Sequence, residues 1–301
     1  MASYKVTATS LNMRSTPKVS GTNRIAVLPQ GREVEKIDDT HDPWWRIRTR
    51  LRGGSVEGYV HSRYLVKDGD FAGPAKASSI VAVHLAENKA SAARNSDGGR
   101  AFPLGEPGSP RRTASGREDR IQQIRGIINW LDVDHSVRYL RKGATTYCNI
   151  YAYDYCYLCR AYIPRVWWTQ RSVIELARGN QIPVLYGDTV TELNANSLHD
   201  WLCDFGPDFG WARTFDPDEA QASANNGKVV VVCAKRVTTN RPGHICAIVP
   251  ETDAFVAGRK VDGGVSNPLQ SQAGSSNYKY KAANRWWTSS RFQSFGIWVH
   301  D

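Results

Sequence analysis

Apolar and polar residues alternate in short runs through the first part of the chain, and turn residues bound each run. Residues 4–8 alternate, residues 25–28 are apolar and lead into Pro29-Gln30-Gly31, and residues 33–37 alternate again. Residues 44–49 run toward Gly53-Gly54, and residues 58–61 close the set. A period of two over short stretches, punctuated by Gly and Pro, predicts strands joined by tight turns. The segment therefore reads as a small all-β barrel.

From residue 119 the period changes. Ile121, Ile124, Ile127 or Ile128, and Leu131 share one stripe, which predicts a helix. A second helix is expected to take Thr145 or Thr146 as its cap, pass through Cys148 and run to about Tyr162, ending near Pro164. Two shorter helices are expected over 171–178 and 197–204. The run of valines over 228–234 predicts a fully buried strand, and residues 244–249 should pair with it across a loop holding Pro242 and Gly243. A third strand is expected around 269–272 and a last one over 296–300. Helices first and antiparallel strands afterwards describe an α+β domain. Between the two regions, residues 69–118 are rich in Ala, Gly, Ser, Pro and Arg. They read as a linker carrying a short strand over 79–85, with His84 a packing residue. The expected division is thus 1–68, 69–118 and 119–301.

Composition narrows the function classes. No apolar stretch approaches the length of a membrane span. Residues 1–9 are polar and strand-like, without the pattern of a signal peptide. The 39 Lys and Arg against 29 Asp and Glu leave a net charge of +10, which favours polyanionic surroundings. There is no nucleic-acid motif and no basic helix, so nucleic acid is not an expected partner. Residues 1–68 alone hold 12 Lys and Arg against 7 Asp and Glu. The six cysteines all lie from residue 148 onward, mostly in apolar runs, which suits a reducing compartment better than a disulfide framework. Cys156 and Cys159 lack a second ligand pair, so they read as buried thiols and no metal is expected.

Cys148 stands apart from the other thiols. It follows polar Thr145-Thr146-Tyr147 at the start of a helix, where unpaired N–H groups favour a thiolate. About a hundred residues later, His244 opens an apolar strand. A thiol and a distant imidazole in these settings are two parts of a cysteine nucleophile site, with His244 as acid and base. A third residue should accept the other ring N–H. Gln272 is preferred, and Gln270 and Asn277 are the alternatives. The Cys148 N–H, helped by Tyr147, would form an oxyanion hole. His135 is the runner-up base, and Asp154, off the face of Cys148, reads as a structural polar residue.

Two resemblances add to this reading. Leu11-Asn12-Met13-Arg14-Ser15-Thr16-Pro17, Leu28-Pro29-Gln30-Gly31, Trp44-Trp45-Arg46-Ile47 and Glu57-Gly58-Tyr59-Val60-His61-Ser62-Arg63-Tyr64-Leu65 resemble the signatures of bacterial SH3-like domains. That likeness implies binding to peptidoglycan peptides or other wall components. Residues 119–301 resemble papain-like cell-wall hydrolases related to the CHAP and NlpC peptidases. The likeness rests on Arg138-Tyr139, Thr146-Tyr147-Cys148-Asn149-Ile150-Tyr151, Ala161-Tyr162-Ile163-Pro164, Asn194-Ala195-Asn196-Ser197-Leu198, Trp201-Leu202 and Ala224-Asn225-Asn226-Gly227. The block Gly243-His244-Ile245-Cys246-Ala247-Ile248-Val249-Pro250, then Gln272-Ala273-Gly274 with Asn277, completes it. It implies cleavage of amide bonds in peptidoglycan without a cofactor. Without a signal peptide, the expected route is synthesis in the cytoplasm and action at the wall after release or injection. A delivery or immunity partner is not identified by the sequence. Among the aromatic residues near the site, Tyr151, Tyr153 and Tyr155 read as core, and Trp167 and Trp168 are the candidates to line a groove for sugar or peptide. The competing readings are a same-fold toxin or deamidase acting on a protein, and an inactive wall-binding adaptor.

Overall fold

The computed structural model describes residues 3–8, 10–19, 23–51, 54–71, 80–86, 92–238 and 240–301. Two compact units divide the chain, residues 1–78 and 79–301. Gly53 and Ser79, both used in the sequence reading, lie outside the described residues.

The first unit is all-β. Strands β1 (Ser3–Val6), β2 (Ser10–Arg14), β3 (Arg24–Pro29), β4 (Glu33–His41), β5 (Trp44–Leu51), β6 (Gly54–His61) and β7 (Leu65–Lys67) make one sheet in the order β3-β2-β6-β5-β4-β1-β7. Alternation sends Val6, Leu11, Met13, Leu28, Val34, Ile47 and Val60 inward. The Arg14 side chain is buried and donates to Asn23 Oδ1 at 2.8 Å. Asn23 in turn donates to Thr16 Oγ1 at 2.6 Å and Lys18 O at 2.8 Å, which closes the β2–β3 turn. The conspicuous Asn12-x-Arg14 motif is thus partly a folding device. At Gly58 a Cβ would meet Ile25 Cδ1 at 2.7 Å and Arg14 O at 2.8 Å, so only glycine lets β6 lie this close to β2.

The second unit is α+β. Its helices are α1 (Arg117–Leu131), α2 (Cys148–Leu158), α3 (Gln170–Ala177), α4 (Ala195–Asp204) and α5 (Pro217–Ala224). Its strands are β8 (Val166–Trp168), β9 (Val190–Glu192), β10 (Ala212–Thr214), β11 (Val229–Arg236), β12 (His244–Ile248), β13 (Gly258–Arg259), β14 (Val265–Asn267), β15 (Gln270–Gln272), β16 (Tyr278–Lys281) and β17 (Phe292–His300). Six of them form an antiparallel sheet in the order β10-β17-β11-β12-β15-β16. β11 is covered on both faces, which explains its unbroken apolar run. Val229, Val231 and Cys233 join the core made with α1, α2 and α4, while Val230, Val232 and Ala234 meet Ala220 and Ala224 of α5 and Trp287.

α2 is shorter than its sequence predicts. Tyr147, not Thr145 or Thr146, occupies the cap position, with no side-chain capping bond, and the helix ends at Leu158 rather than near Pro164. Arg160 adopts φ +58°, and Ala161 N donates to Cys156 O at 2.9 Å while Arg160 N donates to Tyr157 O at 3.2 Å. This is a left-handed helix stop with Arg in place of the usual Gly.

Residues 80–86 and 92–118 are not a free linker. They belong to the second unit, and Val83, Leu85, Ala92 and Leu104 are buried. No strand forms over 80–85; instead the Tyr162 hydroxyl accepts from Val83 N at 2.9 Å and donates to Val83 O at 3.1 Å. Arginines replace a backbone ladder. Buried Arg112 donates to the carbonyls of Cys159 at 2.9 Å, Gly227 at 2.8 Å and Asp301 at 2.6 Å, and Arg100 Nε donates to Arg138 O at 2.9 Å. A loop-like composition therefore encodes ordered irregular structure, since each guanidinium satisfies several buried carbonyls.

A fully buried ion pair anchors α2, and its arginine also reaches this segment. Arg138 Nε donates to Asp154 Oδ2 at 2.6 Å and Tyr139 Oη donates to the same oxygen at 2.9 Å. Arg138 Nη2 also reaches Phe102 O at 3.0 Å. Removing one partner strands a buried charge, so Asp154→Ala is expected to lower unfolding free energy by about 3–5 kcal/mol. Urea denaturation measures this; a loss below about 1 kcal/mol, the range of exposed pairs, contradicts the pairing.

Candidate active site

Cys148 is the first residue of α2, and its side chain is 5 % exposed. Its position at the helix start leaves its own N–H without an acceptor four residues back. Asn149 Nδ2 donates to Leu193 O at 2.9 Å, which ties the head of α2 to the segment entering α4. His244 opens β12, whose register with β11 pairs it with Ala234. The helix N-terminus and the strand mouth meet here, with the Cys148 thiol and the His244 ring close enough for each to shift the other's ionisation.

The other ring nitrogen is held by Gln272. His244 Nε2 lies 2.7 Å from Gln272 Oε1. The amide orientation is set by its far end, because Gln272 Nε2 donates to Ser276 O at 3.0 Å. A carbonyl accepts only from N–H, so Oε1 must face the ring, and the ring must carry its proton on Nε2. Nδ1 is then the nitrogen left for the thiol.

Electrostatics favour a charged pair. Burial pushes the Cys148 thiol up, but the His244 charge, the hydrogen bond to it and the N–H groups of Ile245 and Asn149 outweigh burial and hold it below the ordinary thiol value. Burial pushes His244 down, but the charge and hydrogen bond of Cys148, with the Gln272 bond, carry it above the ordinary imidazole value. Both shifts have the sign of thiolate beside imidazolium.

The remaining candidates go elsewhere. Gln270 shares its face of β15 with Gln272, but its Oε1 accepts from Trp286 Nε1 at 3.1 Å and its Nε2 donates to Ala283 O at 2.8 Å. Asn277 accepts from Gly274 N at 2.9 Å and donates to Val133 O at 2.8 Å and Tyr139 O at 3.0 Å, so it fastens a turn rather than the imidazole. His135 is exposed and faces Asp132 at 3.2 Å. The Tyr147 ring packs under the Arg100 guanidinium at 3.7 Å, a packing role that accounts for the side chain without an oxyanion contact. Trp167 and Trp168 do not line a groove. Both are buried in β8; Trp167 packs against Tyr162, Trp201, Phe205 and Phe209, and Trp168 Nε1 donates to Val81 O at 3.4 Å. Cys156 and Cys159 are buried free thiols, and burial pushes Cys159 up to about 12. His84 meets the Tyr153 hydroxyl at 3.0 Å and the Tyr162 ring edge-on.

Three further residues support the site, and of them the sequence reading used only Gly274, as a small residue after Gln272. Trp286 packs edge-on against His244 at 4.5 Å between ring centres and is itself held by Gln270. Asn196 accepts from Arg236 N at 2.9 Å and donates to Arg241 O at 2.9 Å, pinning both ends of the loop that delivers His244. A Cβ at Gly274 would lie 3.3 Å from His244 Cε1 and 3.1 Å from Gln272 Nε2. Of these, only Gly274 carried a readable signal, a glycine directly after the candidate Gln272.

Residues 9–66 match the bacterial SH3 domain family. No curated protein matches the chain. Among solved structures, NlpC2 from Trichomonas vaginalis is similar over 95 % of this chain and 73 % of that one, at 12 % identity and a TM-score of 0.24. A score this low does not establish a common fold.

The lowered thiol predicts a pH profile. Alkylation of Cys148 by neutral iodoacetamide should reach half its maximal rate below the ordinary thiol value of about 8.5. In His244→Ala the midpoint should move upward, since burial remains and the opposing charge is gone. Peptide mapping of the labelled thiol measures both, and a wild-type midpoint at or above the ordinary value contradicts the pairing.

Proposed function

We propose that the second unit is a cysteine hydrolase that cleaves amide bonds, and that its substrate is bacterial peptidoglycan. The observation that carries the chemistry is the row of Cys148, His244 and Gln272, with the imidazole held between a thiol and an amide oxygen. The papain-like arrangement that the sequence resembles needs these parts: a nucleophile at a helix head, a base at a strand mouth and a polar residue behind the ring. The bacterial SH3 domain favours the wall as substrate, and the net charge of +10 suits an anionic wall. A protein-directed deamidase would use the same three residues; the SH3 domain is what favours the wall.

In the proposed reaction the Cys148 thiolate attacks the scissile carbonyl carbon. The carbonyl oxygen becomes an oxyanion beside the Cys148 N–H. The imidazolium of His244 gives its Nδ1 proton to the leaving amine as the C–N bond breaks, leaving a thioester. The neutral ring then takes a proton from water, whose oxygen attacks the thioester; the C–S bond breaks, releasing the carboxylic acid and restoring the Cys148 thiolate beside the imidazolium. Gln272 keeps Nε2–H occupied throughout, so the proton that moves is always the one on the thiol side.

Purified sacculi test this reading. Wild type should release soluble muropeptides with one new amine and one new carboxylate per cut, identified by mass spectrometry. Cys148→Ala should release none yet still sediment with sacculi. His244→Ala should lose about 10²–10⁴-fold in rate. Wild type that releases no fragments across a range of pH and wall types would contradict the substrate assignment.

A further inference from the structure

The wall of the site beside His244 is both aromatic and cationic. Trp286 stands against the imidazole, and Phe292 lies 5.4 Å from Trp286 between ring centres. The Arg236 guanidinium sits over Phe292 at 5.1 Å. Arg236 is opposite Phe292 in the β11–β17 register, and Val237 N donates to Arg291 O at 3.0 Å, so Arg291 flanks the same spot. Arg241 lies across the loop, whose Pro242 carbonyl accepts from Arg236 Nε at 3.2 Å. Arg236 at the end of β11, Arg291 just before β17 and Arg241 in the loop before His244 thus lie close enough for their charges to act on one another.

This rim has no counter-charge among the described residues. Asp200, on α4, is taken by Lys235 at 2.5 Å, and Glu251 by Arg259 at 2.8 Å. Burial and the charges of Arg291 and Arg241 push Arg236 below its ordinary value, and Arg236 in turn works against the charge on His244. Uncompensated like charges beside a catalytic imidazole are unfavourable unless an anion binds. Guanidinium groups bind carboxylates through paired, charge-assisted hydrogen bonds.

We infer that the rim of Arg236, Arg241 and Arg291 binds a carboxylate of the substrate, carried on the amine side of the scissile amide. The side follows from the chemistry: His244 protonates the leaving amine, so the leaving portion lies along the His244 wall. This inference rests on Cys148 acting as nucleophile.

Two alkylating probes separate the inference from that reading. Iodoacetate and iodoacetamide react with a thiolate alike but differ in charge. On the full-length protein, peptide mapping gives the rate of each at Cys148. The iodoacetate to iodoacetamide ratio should exceed that of glutathione about tenfold or more and fall with added salt. Arg236→Gln combined with Arg241→Gln and Arg291→Gln should lower the ratio at least several-fold from the wild-type value, while the three Arg→Lys changes should keep it raised. A shift in thiolate fraction alters both rates equally, and the His244 charge is common to wild type and variants, so the difference in ratio between wild type and the glutamine variant reports the rim. Rapid iodoacetamide labelling with a ratio equal to that of glutathione overturns the carboxylate site and leaves the nucleophile standing. Labelling of Cys148 no faster than of buried Cys156 by either probe overturns the nucleophile and the inference together. Muropeptide pairs that differ only by amidation of the leaving-side carboxylate test the placement. Wild type should show a higher KM for the amidated form and the glutamine variant should not discriminate; equal KM values in wild type overturn the placement.

Discussion

A thiol and an imidazole taken largely out of water can share a charge pair only if each is fixed in place. Desolvation opposes both charged forms. The pair therefore depends on its surroundings. Backbone N–H groups at the helix head face the sulfur, and Gln272 accepts from the far side of the ring. Gln272 is oriented by Ser276 O, and Gly274 leaves the room that the ring needs. Trp286 closes one side and is held by Gln270. The N–H groups and Gln272 stabilise the two charges, while Gly274 and Trp286 confine the ring.

The framework that brings α2 against β12 uses a second device. The stretch from 92 to 118 has little regular structure, yet it packs into the core. Arginines rather than strands tie it to the rest of the unit: Arg112 alone donates to the carbonyls of Cys159, Gly227 and Asp301. Arg138 does the same for Phe102 while neutralising Asp154 inside α2. Part of the strongly basic composition is therefore structural. The remainder includes the three arginines beside His244, which face no carboxylate among the described residues.

How much of this was legible follows from what sequence period records. Cys148 and His244 were readable because each begins an element, and an element start is a local property. Gln272 was readable from the alternation of β15 and the small residues after it, yet alternation places Gln270 on the same face. Only the positions of Trp286 and Ala283 separate the two. Trp167 and Trp168 were misread because closeness to Cys148 in the chain says nothing of depth; β8 pairs with β9 and buries both rings. Residues 80–86 and 92–118 were misread as linker because composition cannot show which carbonyl an arginine reaches. The Arg236 rim was out of reach for a related reason. It needs the register of β11 against β17 and the fold of the loop between 236 and 244, both set by tertiary pairing.

The charge on His244 is the most direct measure of the account. Nitrogen NMR of the labelled imidazole distinguishes protonated from neutral rings. The account predicts an imidazolium at neutral pH in the wild type, with the Nε2 proton protected by Gln272. It predicts a neutral ring in Cys148→Ser at the same pH, because only the Gln272 bond then opposes burial and Arg236. A neutral His244 in the wild type at pH 7, or a ring whose charge is indifferent to the loss of the sulfur, would contradict it.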